Sequence, residues 1–508
     1  MGTKNYDNAT DLITFSRASG GTALRKISYG SELVTNGTFD SDTDWTLNAA
    51  TISSGNLTFT PTAVGSITFV TGSSAVFSAG KIYKLNYDVL SNNLSSASVR
   101  INFGGGNIVS LYSLSVGSHS QIVYAYGDAP FKLESYVNVV AGSFTIDNIS
   151  VKEVIFDQTD GELTLFNHPT DVPRIEYAPD GTVKGLLVEE ARTNLITYSE
   201  DFTDAIWATA SQNLGVAPVV TADQTTSPDG NTNADRVFFE TTGTSSVDRS
   251  RLRMAPSTSL TGTGVFSVWI KEVSPGQSDL TIMITNGVGI TAVTPTAEWV
   301  RYSIPATAFT LYEPEIRLTG STGTSSDVYI WGAQFEEGSF PTSYIPTSGS
   351  TATRAADIAS IPVTDFGYNQ DAGTVVVEAE GFGSPSFSKF LSLSSAEADR
   401  IEINYDTDGD VRMYVEEGNT TQVNVDIGTN ILGVTTAKAA LSVSRNDARG
   451  CVNGGSVVSD LSVNVPTADT LLVGKDYSGG SNYLNGHIKS IQYYPRRLTN
   501  VQLQELTA

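Results

Sequence analysis

Two phrases in this chain occur twice, and together they restrict the fold more than any other feature. Val34-Thr-Asn-Gly-Thr-Phe-Asp-Ser-Asp-Thr-Asp-Trp45 opens a stretch that closes with Phe144-Thr-Ile-Asp-Asn-Ile-Ser-Val-Lys-Glu153. Tyr198-Ser-Glu-Asp-Phe-Thr-Asp-Ala-Ile-Trp207 opens a second stretch, closed by Val328-Tyr-Ile-Trp-Gly-Ala-Gln-Phe-Glu-Glu337. Each opening sets an aromatic five or six residues before a Trp, and each closing is an alternating strand that ends in an acidic residue. A separation this long points to duplicated domains rather than a solenoid, whose periods run about 20–50 residues.

Between these phrases, apolar and polar residues alternate and are cut by Gly, Asn-Gly and Asp-Gly turns from end to end, which is the period of half-buried strands. Arg400 to Val415 reads as a hairpin around Asp408-Gly409. The terminal Leu498–Leu506 reads as a helix, with Thr499 or Asn500 placed to cap it. The expected fold class is therefore all-β, with tandem β-sandwiches and a small split N-terminal β module.

At 508 residues the length suits roughly three to four domains of about 150 residues each. Residues 1–30 and 154–195 are read as the split module, since each piece is too short to bury a core alone. Residues 31–153 are the first sandwich, 196–347 the second and 348–508 the third. Pro341 to Ser350 is expected to be an extended, stiff linker, because its prolines bias the backbone away from helix.

Thirty basic and 54 acidic residues leave a net charge of −24. That opposes binding to a phosphate backbone, which needs clustered Lys and Arg, so no nucleic-acid partner is expected. The lone Cys451 cannot form an intrachain disulfide and is read as a small buried apolar residue. No apolar run of about 18 residues offers a membrane span, and none follows the opening Met-Gly-Thr-Lys as a signal peptide would require.

Catalytic residues are poorly supplied, and no enzyme activity is expected. His119, His168 and His487 fall in different units, with no Gly-x-Ser-x-Gly or His-Glu-x-x-His pattern. The pairs Glu189-Glu190 and Glu336-Glu337 invite a glycosidase reading, but adjacent strand residues point to opposite faces and cannot flank one bond. Asp40, Asp42 and Asp44 alternate before Trp45, either as the start of a calcium site or as a solvated acidic loop. Asp406, Asp408 and Asp410 read as a plain hairpin turn, and Phe103–Asn107 as a tight glycine-rich loop. For sugar binding the candidate platforms are Trp45, Trp207, Trp269, Trp299 and Trp331, mostly read as core fillers, with Tyr112, Tyr477 and Tyr483 as alternatives.

The paired phrases resemble the carbohydrate-binding jelly-roll modules found beside bacterial glycanases, which begin with Asn-Gly-x-Phe and end with an Ile-Asp-Asp-Val-like strand. Residues 36–39 and 146–149 carry that likeness. It implies a structural calcium on Asp147, which could approach the acidic run at Asp40 from the last strand, whereas the second copy has Trp331 at the place of Asp147. The C-terminal unit is similar to the laminin-G and concanavalin-like sandwich. The carrying residues are Ala440 to Gly454, Leu472-Val-Gly474 and Leu484-Asn-Gly-His-Ile488 onward.

Phe15-Ser-Arg-Ala-Ser19, Pro173-Arg-Ile-Glu-Tyr177, Gly185 to Leu195 and Trp331 to Pro346 resemble structural proteins of tailed bacteriophages. That resemblance implies a tail fibre or receptor-binding protein engaging host-surface glycan, with a capsid decoration or head fibre as the alternative. It also implies a virion location after assembly in a host cytoplasm, contacts with other virion proteins, and rotational oligomers such as a homo-trimer. Phe15 and Arg17 are the expected anchoring residues. No membrane insertion is expected.

Overall fold

The computed structural model describes all residues except 1–11, 62–67, 96–98, 103–107, 111–113, 136–141, 256, 258–260, 286–287, 383–387, 433–435 and 478–481. The readings at Phe103–Asn107 and Tyr112 lie outside the described residues. The protein is all-β, built of antiparallel sheets packed as sandwiches, with one α-helix among the described residues. The chain divides into two compact units, residues 26–163 and residues 1–25 with 164–508.

In the unit of residues 26–163, strand Phe144–Phe156 runs between Ile82–Asn92 and the Ile27–Glu32 part of its neighbour. A five-stranded sheet faces it, ordered Trp45–Leu47, Thr68–Phe77, Ala129–Ser135, Val99–Asn102 and Ile108–Ser110. The alternation predicted from sequence closes the core here: Leu85, Tyr87 and Val89 point inward with Ile146 and Val151.

The larger unit contains two sandwiches. In the first, Trp207–Gln212 borders one five-stranded sheet, while Ser325–Glu337 is central in the other, between Thr232–Thr241 and Gly262–Glu272. Phe239, Leu252, Phe266, Ile316 and Phe335 fill the space between them. The C-terminal sandwich pairs two seven-stranded sheets around Val377, Leu391, Ile403, Met413 and Leu441. The segments on either side of residues 26–163 extend these two sheets. Thr14–Ser16 pairs with Ile358–Pro362, and Val183–Val188 pairs with Gly486–Tyr494. The closing helix is Asn500–Thr507, and Thr499 caps it through a reciprocal pair of bonds with Gln502.

The repeated phrases have one geometry in both places. Trp45 donates its indole N–H to the Asn36 carbonyl at 3.0 Å, and Trp207 to the Tyr198 carbonyl at 2.9 Å. Each indole packs on the aromatic that precedes it, with centroids 5.0 Å apart for Phe39–Trp45 and 4.8 Å for Phe202–Trp207. The next carbonyl along accepts from the closing strand: Gly37 from Ile149 at 3.0 Å, Ser199 from Ala333 at 2.8 Å. A Cβ on Gly37 would lie 2.0 Å from the Ile149 carbonyl oxygen, so this approach requires glycine. Opening and closing phrases recur together because each opening is bonded to its own closing strand.

The Pro341–Ser350 segment is extended, as its prolines demand, but it is not a free linker. Thr342, Tyr344, Ile345 and Thr347 are buried. Its backbone polar groups are satisfied by side chains, as when Ile345 donates to Gln334 Oε1 at 2.7 Å.

Candidate functional site

Arg17, Arg174 and Glu189, from the segments that carry the phage-protein resemblance, meet Arg354 and Asp357 within the larger unit. Arg17, Arg174, Glu189, Arg354 and Asp357 are each at most 1% exposed. Asp357 takes Arg17 Nη1 at 3.1 Å on one oxygen and Arg174 Nη2 at 2.5 Å on the other. Glu189 takes Arg174 Nη2 at 2.9 Å and both the N–H and the hydroxyl of Ser343. Arg354 sits 3.5 Å from Glu189 and donates to the Glu190 carbonyl at 2.6 Å.

Burial alone would raise the Glu189 carboxyl, but Arg354 and Arg174, aided by Ser343, hold it down to about 2. Burial, with Arg174 close by, lowers Arg17 to about 10. The expected anchoring residues are therefore placed as follows. Arg17 is spent on internal partners, and Phe15 is half-buried beneath its guanidinium, 5.5 Å from the ring centre.

Over this network lies a pocket of about 320 Å³, lined by Glu176, Leu187, Glu189, Arg301, Phe340, Pro341, Thr342, Ser343 and Phe382. Its size is near the lower end for ligand sites, which span about 300–1,000 Å³. Strand Ile175–Tyr177 presents Glu176, strand Val300–Phe309 presents Arg301, and the extended segment after Ser325–Glu337 presents Phe340 to Ser343. Phe382 follows strand Ala372–Gly381 and packs edge-on to His487, with centroids 4.9 Å apart.

Glu176 Oε2 is 2.6 Å from His487 Nε2, which fixes the carboxylate at the pocket wall. Arg301 donates to the Thr342 carbonyl at 2.7 Å and to Ser267 Oγ at 2.9 Å, and its guanidinium lies 4.6 Å from the centre of the Trp269 ring. Burial lowers Arg301, opposed chiefly by Glu336. A ring-shaped ligand with an apolar face and hydroxyl edges suits this lining: rings on the walls, one carboxylate to accept and one guanidinium to donate.

In each acidic pair one carboxylate is buried and the other is not, Glu336-Glu337 at the end of a strand and Glu189-Glu190 just past one. Glu189 and Glu336 are buried, the latter accepting from Thr342 and Gln334, whereas Glu190 pairs with Arg192 and Glu337 is exposed. His119 is stacked on Tyr87, with centroids 5.3 Å apart, and His168 is buried. Trp45, Trp207, Trp269 and Trp331 are buried, and Trp299 donates to the Thr226 carbonyl. Phe340 and Phe382 were missed by the sequence reading, which weighed Trp and Tyr. Pro341 beside Phe340 was the available signal, since proline cannot continue a sheet and marks the segment after the strand Ser325–Glu337.

Asp40 accepts from Thr38 Oγ1 at 2.7 Å, and Asp147 lies in register with Asp88, whose carboxylate takes the Asn148 amide at 2.7 Å. Neither belongs to the one acidic group found among the described residues that could hold a cation, Asp406, Asp410 and Asp426. There Arg412 already bonds Asp406 at 2.7 Å and Asp426 at 2.8 Å. Asp406 Oδ1 also accepts from the N–H groups of Asp408 and Asp410, closing the hairpin turn between Asp399–Tyr405 and Val411–Glu417.

No protein-family model matches the chain, and no curated protein matches it. Among solved structures, it is similar to the Ruminococcus gnavus IT-sialidase CBM40 bound to alpha2,3 sialyllactose. The identity is 15%, over 28% of this chain and 84% of that one, with a TM-score of 0.25. Mouse laminin alpha1 chain, domains LG4-5, matches at 13% identity over 65% of this chain and 97% of that one, with a TM-score of 0.21. Trypanosoma rangeli sialidase in complex with sialic acid matches at 11% identity over 97% and 98% of the two chains, with a TM-score of 0.25. Likenesses this slight assign neither a ligand nor an activity.

Proposed function

We propose that this chain is a structural protein of a tailed-phage virion, a tail fibre or receptor-binding protein that engages host-surface glycan. The observation that carries the glycan reading is the pocket walled by Phe340 and Phe382, with Glu176 and Arg301 converging on it. A pyranose would set its C–H face on an aromatic ring, donate a hydroxyl to Glu176 and accept from Arg301. One such pocket binds weakly, and copy number supplies the strength: linked sites raise avidity by about 10²–10⁴ without new contacts. A homo-trimer on a symmetric particle would provide that linkage. The segment at Phe15 meets the particle in this reading, and Arg17 acts from inside the fold by holding that segment.

The alternative is a capsid decoration or head fibre with an architectural role. It is favoured by the burial of Arg17, Arg174 and Glu189, since much of the phage-protein likeness rests on residues that hold the fold together.

The test is binding of fluorescently labelled protein to host cells, with intact phage as competitor. Saturable binding that blocks adsorption, and that weakens in Glu176→Gln, is the expected result. Absence of binding by folded, oligomeric protein would transfer the weight to the architectural reading.

A further inference from the structure

A second opening lies on the C-terminal sandwich, on the face of a seven-stranded sheet turned away from the core. Period-2 alternation sends Ile401, Ile403, Met413 and Val415 inward and sets polar residues on the opposite face. These form rows across the strands. Lys389, Asn404, Arg412 and Asp426 are in register, as are Ser392, Glu402, Tyr414 and Asn424. Of these rows Lys389, Asn404, Arg412, Tyr414 and Asn424 line a cleft of about 280 Å³, together with Glu397, Arg400, Asp476 and Asn482.

Several of these groups are buried: Lys389 is 7% exposed, Glu402 0%, Asn404 1% and Asp476 2%. A sheet face that only had to be wet would not place charges out of water, because a buried ion gives up its hydration. Here they are held by partners. Lys389 Nζ bonds Glu402 Oε2 at 2.7 Å, Ser392 donates to the other Glu402 oxygen at 3.1 Å, and Asn482 donates to Asp476 at 2.5 Å. The arrangement is a rigid, preorganised polar surface.

We infer that this cleft is a second glycan site, one that takes a neutral oligosaccharide lying across the strands. The inference rests on the reading of the chain as a glycan binder and adds a site and a ligand class to it. Charge selects the class. Lys389 faces Glu402, Arg400 lies 2.6 Å from Glu416, and Arg412 is bonded to Asp406 and Asp426. Each cation of the lining thus has a carboxylate beside it, so an anionic sugar meets as much repulsion as attraction. Hydroxyl groups both donate and accept, and so can use the outer edges of these pairs and the amide of the exposed Asn424. Tyr414 supplies an aromatic edge, with Arg400 over its ring at 5.3 Å.

The test uses the full chain with malto-, cello-, laminari- and manno-hexaose as neutral probes and oligogalacturonate as the anionic one, read by saturation-transfer NMR. At least one neutral probe is expected to bind, and Asn424→Trp, which fills the cleft from an exposed position, should weaken it at least tenfold. Asn424→Ala should weaken it less, and both variants should keep the wild-type melting temperature. Binding that survives Asn424→Trp but is lost in Phe340→Ala would overturn this second site and leave the first pocket standing. Loss in Asn424→Trp with none in Phe340→Ala would support this cleft and remove the first. Preferential binding of oligogalacturonate, or no neutral probe bound by the wild type, would overturn the proposal.

Discussion

Arg17 and Asp357 are 340 residues apart in sequence and share a hydrogen bond of 3.1 Å with both side chains fully buried. Around them, Arg174, Glu189 and Arg354 complete a cluster that joins the N-terminal segment, the strands near 174–189 and the start of the C-terminal sandwich. Removing one partner strands the others in a site without water. Asp357→Ala should therefore cost about 3–5 kcal/mol, far more than loss of a surface pair. Urea unfolding followed by tryptophan fluorescence measures it, and a cost under 1 kcal/mol would show the cluster to be dispensable.

The bond from Trp207 to the Tyr198 carbonyl and that from Trp45 to the Asn36 carbonyl are equivalent, so their loss should be equivalent. Trp207→Phe and Trp45→Phe keep an aromatic ring on Phe202 and Phe39 but remove the indole donor from the Tyr198 and Asn36 carbonyls, the latter keeping its bond from the Phe39 N–H at 3.2 Å. Each should destabilise by about 1–3 kcal/mol. Hydrogen–deuterium exchange should rise in peptides of residues 196–337 for the first variant and 31–153 for the second. Exchange unchanged in both would mean that the indole N–H contributes nothing to either closure.

Stability should peak in mild acid. Burial pushes Glu200 up to about 7, against bonds from Tyr344 and Asn233, and pushes Asp235 up to about 6. A carboxyl that holds its proton more tightly when folded stabilises the protein as pH falls from about 8 toward its unfolded value near 4. Glu189, held down to about 2, acts in the opposite sense: its contribution is complete above about pH 4.5 and is lost below. Melting temperatures from pH 3 to 8 should pass through a maximum between about pH 4.5 and 6, and Glu200→Gln should flatten the upper limb. A wild type most stable at pH 8 would contradict the burial of these carboxyls.

In the pocket, Phe340→Ala should weaken glycan binding about tenfold, since ring contacts are worth about 0.5–1.5 kcal/mol beyond area and 1.4 kcal/mol is a factor of ten. Glu176→Gln retains an acceptor for His487 and should leave the melting temperature unchanged while lowering affinity. Equal affinities for the wild type and both variants would place binding elsewhere.

At the Asp406–Asp410 turn, Arg412 already supplies the cation. Millimolar calcium should leave hydrogen exchange of this hairpin unchanged in the wild type and slow it in Arg412→Ala, where Asp406 and Asp426 lose their counter-charge beside Asp410. Slowed exchange in the wild type would show that calcium displaces the guanidinium.

Features set by near neighbours are legible in the sequence. The hairpin at Asp408-Gly409 and the helix capped by Thr499 depend on neighbours within a few residues, where turn and capping chemistry acts. The expected linker at Pro341–Ser350 was half legible: proline imposes its extension, but its burial depends on Gln334 of the preceding strand and on Glu189 and Ser199, which lie far off in sequence. The paired phrases announced a duplication, yet nothing in them indicated that Gly37 and Ser199 would each accept a bond from a strand more than a hundred residues on.

The sequence by itself determined an all-β chain with two related sandwiches, because a two-residue period and turn chemistry are properties of short segments. Tertiary structure alone decided which charges lie together and where the surface is concave. Arg17 and Glu189 stand out along the chain, but nothing there joins them to each other or to Arg174, Arg354 and Asp357, and Phe340 and Phe382 look like ordinary apolar residues. They become a buried network and a pocket wall only because antiparallel pairing brings strands distant in sequence into register, and no local pattern encodes which strands will meet.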